Sequence, residues 1–315
     1  MTEAESPPIT PIPLGRRLYV QLGITLVVLA AVGGMLAAHR ATLDSGTDRL
    51  AAADGEWLVL ACLAALATWV CAAVAQQGAV VEPLPKGRLV AAQFAAGALN
   101  HVLPAGAGAT LVNLRFLRRC GLSTRSSATA LAVKAAVGGI VRCALGVALL
   151  VASPGTVRLS ARVPYALLLL PVAAGAVALA VVVSGRLRRV VSRAVADVRE
   201  VHRCRARAGA LWGGSVAFAL LHAGVVVAVV HAIGLGLPAS RVVMAYLVAS
   251  GAAALLPTPG GLGSLDAALA LALTAAGAPG PAAVSAVLGY RLLTGWLPMA
   301  PGLLVLALLV RRSAL

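Results

Sequence analysis

Apolar residues come in long blocks separated by short polar segments, and block length sets the first expectation. Residues 18–38 run for about 21 positions, enough to cross a bilayer at about 1.5 Å per residue. Blocks over 57–81, 126–152, 163–183 and 208–233 are also of spanning length. The block over 282–310 is interrupted by Pro298 and Pro301 and reads as one long kinked span, with a tight hairpin as the alternative.

Two blocks do not read as plain spans. The apolar part of the first, 89–103, would reach about 22 Å as a helix, against a hydrocarbon core of about 30 Å. It ends in Asn100-His-Val-Leu-Pro-Ala-Gly-Ala-Gly108, and a second short run leads to Arg115, Arg118 and Arg119. The second, 242–276, contains Leu256-Pro-Thr-Pro-Gly-Gly-Leu-Gly-Ser-Leu-Asp266. Proline removes a backbone donor and clashes with the preceding turn, while glycine permits close approach to the backbone. Broken backbone at membrane depth persists only where protein buries it or where it lines a wet cavity. For the Leu256–Asp266 stretch, an extracytoplasmic loop between two ordinary spans is the alternative.

Basic residues flank 89–117 on both sides, which predicts a helical hairpin dipping in from the cytoplasm. An offset of 153 positions, the separation of Arg88 and Arg241, also sets Leu103-Pro104 on Leu256-Pro257, Gly108 on Gly261 and Asn113 on Asp266. Three predicted spans lie between the hairpins, so the second should dip in from the opposite face. The expected fold is an all-α polytopic membrane protein. It has about six or seven full spans and two opposed re-entrant hairpins related as an inverted repeat, over 89–117 and 242–276.

Composition agrees with a membrane protein: 60% of the 315 residues are hydrophobic and 11% are charged. Ala, Val, Leu and Gly dominate, a bias of the kind high-GC bacteria encode. The net charge of +16 would point to nucleic acid in a soluble protein. Here the basic residues sit between apolar blocks, where topology and anionic headgroups account for them, and no nucleic acid partner is expected. Residues 1–17 read as a disordered cytoplasmic tail before a single domain over 18–312. The segment 185–207 holds eight arginines against Asp197 and Glu200. It reads either as an amphipathic helix on the cytoplasmic surface or as a topology-setting loop. The five cysteines form no metal or redox spacing.

Charged groups inside apolar blocks carry the functional expectation: Arg115, Lys134, Arg142, Asp266 and Arg291. Lys134, Gly138 and Arg142 fall on successive turns and face one way. They form a cationic path for a phosphate headgroup, or Lys134 snorkels to the surface. Asp266 and Arg291 either pair for packing or serve a substrate. His222 is a packed histidine or a proton relay, and Asn100 and His101 bind headgroup oxygens or satisfy the broken backbone. Candidate substrate-binding residues are therefore Asn100, Pro104, Gly108, Arg115, Lys134, Arg142, Pro257, Pro259, Gly260, Gly261, Asp266 and Arg291. No nucleophile elbow, Walker loop, zinc motif or paired-carboxylate constellation appears, so no catalytic residue, metal or cofactor is expected.

The proline/glycine stretch ending in Asp266 resembles the signature of the lysylphosphatidylglycerol synthase transmembrane family, also called flippase-like, in which the last residue is usually Glu. Asn100–Gly108, Arg115 to Gly121 and Tyr290-Arg-Leu-Leu-Thr-Gly-Trp-Leu-Pro298 support it, and the likeness spans about residues 15–312. The resemblance implies a multi-pass protein of the bacterial cytoplasmic membrane, related to the half of aminoacyl-phosphatidylglycerol synthases that moves modified lipid to the outer leaflet. The soluble domain that makes the lipid would lie beyond the last span, where Arg311–Leu315 stand, so aminoacyl transfer is not expected. Asp266 keeps the charge of the usual acid and shortens it by one methylene. The resulting expectation is translocation of a phospholipid or lipid-linked envelope precursor. The alternative is a non-transporting subunit that holds an envelope glycosyltransferase or lipid synthase. Expected partners are an anionic or lipid-linked phosphate substrate, membrane lipids, and an envelope-synthesis enzyme or a second copy of the chain.

Overall fold

The computed structural model describes residues 49–103, 107–152, 202–255 and 263–312. The predicted tail, the spans 18–38 and 163–183, and residues 185–201 of the basic segment lie outside them. Every regular element among the described residues is helical. In chain order these are α1 (Gly55–Gly78), α2 (Lys86–Val102), α3 (Ala107–Arg119), α4 (Thr124–Ala152), α5 (Arg205–Ala232), α6 (Ala239–Leu255), α7 (Ser264–Ala275), α8 (Gly280–Arg291) and α9 (Leu297–Arg311), with a π turn (Leu292–Trp296) joining α8 to α9.

Among these, α1, α4, α5 and the continuous Gly280–Arg311 helix are long and apolar enough to span a bilayer. Their outward faces carry Val59, Leu63 and Val70 on α1 and Ile140, Val147 and Val151 on α4, all exposed and suited to lipid. α5 begins at Arg205, three residues before its apolar block, so the end of the basic segment forms its first turn.

An antiparallel pair, α1 and α5, forms the centre. The Asp54 N–H donates to the Ala232 carbonyl at one end (2.9 Å). At the other end, a Cβ on Gly78 would stand 2.3 Å from the Leu211 nitrogen, and one on Gly214 would stand 2.7 Å from the Ala75 nitrogen. Small residues at this seam let the two backbones meet, the usual basis of helix contact in lipid.

Two apolar clusters occupy opposite ends of that pair. One joins Ala73 of α1, Ala79 and Val80 just after it, and Leu211 and Ala219 of α5 to the first hairpin (Leu89, Ala96, Phe116) and α4. The other joins Ala61 and Ala65 of α1 and Ala223 to Val230 of α5 to α6, α7 and α8. The first hairpin therefore packs toward one end of α1–α5 and the second toward the other.

Both broken blocks form helix pairs. In the first, α2 ends with Leu103 extended and α3 folds back until Gly108 lies where a Cβ would come within 2.3 Å of the Leu99 carbonyl oxygen. α3 continues through Arg119, longer than its apolar run predicts, because Arg and Leu are good helix formers. In the second, α6 and α7 are joined across 256–262, and Gly263, at φ +82°, opens α7. The offset that sets Arg88 on Arg241 also carries Lys86–Val102 onto Ala239–Leu255, the observed bounds of α2 and α6.

The last block is one continuous helix, and the tight-hairpin alternative is wrong. Its irregularity is also not where the prolines predict it. The π turn starts at Leu292, six residues before Pro298, and the Leu297 N–H donates to the Leu292 carbonyl. Pro298 has no N–H and would clash with the carbonyl four residues earlier, and the widened turn absorbs both effects upstream.

Candidate functional site

A cavity of about 470 Å³ lies where the two apolar clusters meet, at the middle of α4 and α5. Helices α1 to α5 line it, together with Leu265 of α7, the end of α8 and the π turn. Thr68, Trp69 and Gln76 come from α1, and Gln93, Asn100 and His101 from α2. α3 supplies Asn113, α4 supplies Lys134 and Arg142, and α5 supplies Ser215, Phe218 and His222. Tyr290, Arg291 and Thr294 close it from α8 and the π turn. Amides and cations at mid-helix are costly in a bilayer unless they face one another or water, so the polar side of each helix turns inward here.

The cations are held in two parallel arrangements. Lys134 Nζ donates to Gln93 Oε1 (3.0 Å), Gln93 Nε2 donates to Asn113 Oδ1 (2.6 Å), and Asn113 Nδ2 donates to the Ala109 carbonyl (2.9 Å). This chain ties α4 to both helices of the first hairpin. Arg291 Nε donates to Asp266 Oδ1, tying α8 to the second hairpin. Asp266 Oδ2 also accepts the N–H of Gly263 (2.9 Å), so the carboxylate caps the start of α7. In each half, a cation on the span after the hairpin is tied to that hairpin: Lys134 to Gln93 of the first helix, which bonds Asn113 of the second, and Arg291 directly to Asp266 of the second. Asn113 and Asp266 are the positions that the sequence offset matches.

Arg142 reaches back to the Gly138 carbonyl (3.0 Å) and lies over the Phe218 ring, 5.9 Å from its centroid. Neither Lys134 nor Arg142 meets a carboxylate among the described residues. His222 Nδ1 and the Tyr290 hydroxyl are 2.9 Å apart, and Tyr246 stacks on His222 with centroids 6.1 Å apart. His222 and Tyr290 line the cavity with Arg291, and Tyr246 packs against both rings.

The structure thus brings Asn100, Lys134, Arg142 and Arg291 to one cavity, with Asp266 behind Arg291. Gly108 is buried in the α2–α3 crossing and serves the hairpin's closure. Arg115 is exposed, beside Arg118 and Arg119 in a separate groove, and does not line the cavity. Val112, Asn113, Phe116 and Leu117 take the buried face of α3, which leaves Arg115 on the opposite face with Arg118 and Arg119. Pro104, Pro257, Pro259, Gly260 and Gly261 lie outside the described residues. Sequence reading missed Gln76, Gln93, Asn113 and Thr294, single neutral polar residues inside apolar helices. Asn113 alone carried a signal, its match to Asp266. Among the described residues no group of His, Cys, Asp and Glu could hold a metal ion.

The decisive comparison is with protein families: residues 20–302 match the family model of the lysylphosphatidylglycerol synthase TM region. The chain belongs to this family. The match runs from the first predicted span into α9, so both hairpins and every residue of the cavity fall inside the family's domain. The lysylphosphatidylglycerol synthase TM region family gives the chain a multi-pass membrane setting and a lipid-related role. A comparison with curated proteins gives no match.

Proposed function

We propose that the protein translocates an anionic phospholipid or lipid-linked phosphate between leaflets of the cytoplasmic membrane, with its N-terminus in the cytoplasm. One observation carries this reading. Three cations, Lys134, Arg142 and Arg291, line a mid-depth cavity, and only Arg291 has a carboxylate partner among the described residues. A cation in low dielectric without a counter-charge is stabilised strongly by a bound anion, and a phosphate diester is the anion a membrane offers in quantity.

The hairpins supply the route. They pack toward opposite ends of α1–α5, as two opposed re-entrant segments would, and each holds one cation of the cavity. Paired interrupted segments in two halves of a chain are the usual setting of a mid-membrane site reached alternately from two faces. In this reading the headgroup moves between the Lys134 side and the Arg291 side while its acyl chains stay in lipid. Asp266 stays with Arg291, or releases it as the phosphate binds. The protein acts as a carrier rather than an enzyme.

The test is reconstitution into vesicles containing acyl-chain-labelled phosphatidylglycerol, with dithionite quenching of the outer leaflet. Quenching beyond the outer-leaflet half, in proportion to incorporated protein, is expected. A trace identical to protein-free vesicles overturns translocation and favours the non-transporting subunit.

A further inference from the structure

The cavity's inventory of charge and hydrogen-bonding atoms restricts the headgroup further. We infer that it accepts a phosphate-diester headgroup bearing neutral hydroxyls, as in glycerol or a sugar, and excludes one bearing an ammonium group. The inference rests on the translocation reading for its substrate class, but it concerns selection at the site and is read separately.

No carboxylate among the described residues lines the cavity. Of the chain's ten acidic residues, Asp266 alone lies inside an apolar stretch. Both its oxygens are engaged, one by Arg291 and one by the Gly263 N–H. An aminoacylated headgroup would bring its ammonium groups beside Lys134 and Arg142 with no anion to receive them, and like charges repel more strongly in a low-dielectric site than in water.

The neutral polar atoms point to hydroxyls. Gln76 is fully buried on α1, and both its amide nitrogen and its amide oxygen lack a hydrogen-bond partner among the described residues. Asn100 Oδ1 and His101 Nδ1, on α2 residues that line the same cavity, are buried and unpartnered as well. Buried polar groups are nearly always satisfied, and the Gln76 amide, with both its donor and its acceptor open, marks a place for a partner that both gives and takes hydrogen bonds. A hydroxyl does both; an ammonium only donates. Trp69 stands two turns before Gln76 on the same face of α1 and is held edge-on by Phe94 at 4.4 Å. Its ring offers an apolar surface to the C–H face of a glycerol or sugar. Lys134 and Arg142 then take the phosphate while Gln76, Asn100 and His101 take the hydroxyls.

The experiment compares phosphatidylglycerol, phosphatidylinositol and lysylphosphatidylglycerol in two assays. One is thermal stabilisation of the purified protein in detergent by each lipid. The other is dithionite-monitored movement of the same lipids, labelled on an acyl chain, in neutral phosphatidylcholine vesicles. The two hydroxyl-bearing anionic lipids should bind and move at least tenfold better than the lysylated one. Lysylphosphatidylglycerol binding or moving as well as the others overturns the inference and leaves translocation standing. The expected binding preference without movement overturns translocation and leaves the inference standing, and no binding of any of the three overturns the inference. Gln76→Glu places an acid among these groups and should narrow the preference about tenfold. Gln76→Leu, which removes both open atoms, should weaken phosphatidylinositol more than the lysylated lipid; an unchanged preference in both variants overturns the role given to Gln76.

Discussion

Asp266 and Arg291 form an ion pair that joins the start of α7 to the end of α8, with the Arg291 side chain 5% exposed and that of Asp266 21%. The pair fixes the second hairpin to the span that follows it. Breaking a buried pair strands the remaining charge, which costs about 3–5 kcal/mol. Asp266→Asn keeps an acceptor for the Gly263 N–H and so isolates the loss of charge. Thermal unfolding in detergent should show a loss of about 3 kcal/mol for Asp266→Asn and for Arg291→Gln, and at least half of that should return in the double variant. Additive losses in the double variant would mean that the two residues act independently.

The α1–α5 seam makes a separate prediction about glycines. Gly78 and Gly214 sit where any Cβ would strike the facing backbone, and backbone cannot move aside as a side chain can. Replacing either with Ala should cost about 1–3 kcal/mol through overpacking, and the two helices should separate at that end. Gly139 and Gly146, on α4, face open space, with nothing within 4 Å of where a Cβ would project. Ala there should be neutral or should stabilise by about 0.5–1 kcal/mol through helix propensity. Melting temperatures of the four variants check this, and equal effects at all four sites would contradict the close seam.

The part of the fold legible in the sequence is the part written in block length. The apolar runs over 57–81, 126–152 and 208–233 became α1, α4 and α5, and the short broken runs became helix pairs, because a helix's reach and a proline's missing donor are local properties. The interior was legible only where charge made it so. Lys134, Arg142 and Arg291 stand out against apolar neighbours, and all three line one cavity. Gln76 and Gln93 do not stand out, since one amide in an apolar helix has no spacing to betray which way it faces. Arg115 misled because one arginine closing an apolar run does not show which face it takes; Val112, Asn113, Phe116 and Leu117 hold the buried face of α3, and Arg115 falls on the other. The last block misled on position: Pro298 dictates an irregular turn, but the widened turn lies upstream, where the carbonyls that Pro298 displaces are found.

Lys134 and Arg142 are the most direct handle on the central claim that cavity cations carry a phosphate headgroup across the membrane. The measurement is the rate of dithionite-accessible phosphatidylglycerol exchange in vesicles holding equal amounts of folded wild-type protein, Lys134→Gln, Arg142→Gln and the double variant. Each single variant should slow exchange about tenfold or more, the worth of one charge-assisted hydrogen bond, and the double should slow it further. Exchange at the wild-type rate in the folded double variant would contradict the account and leave the two cations as structural groups.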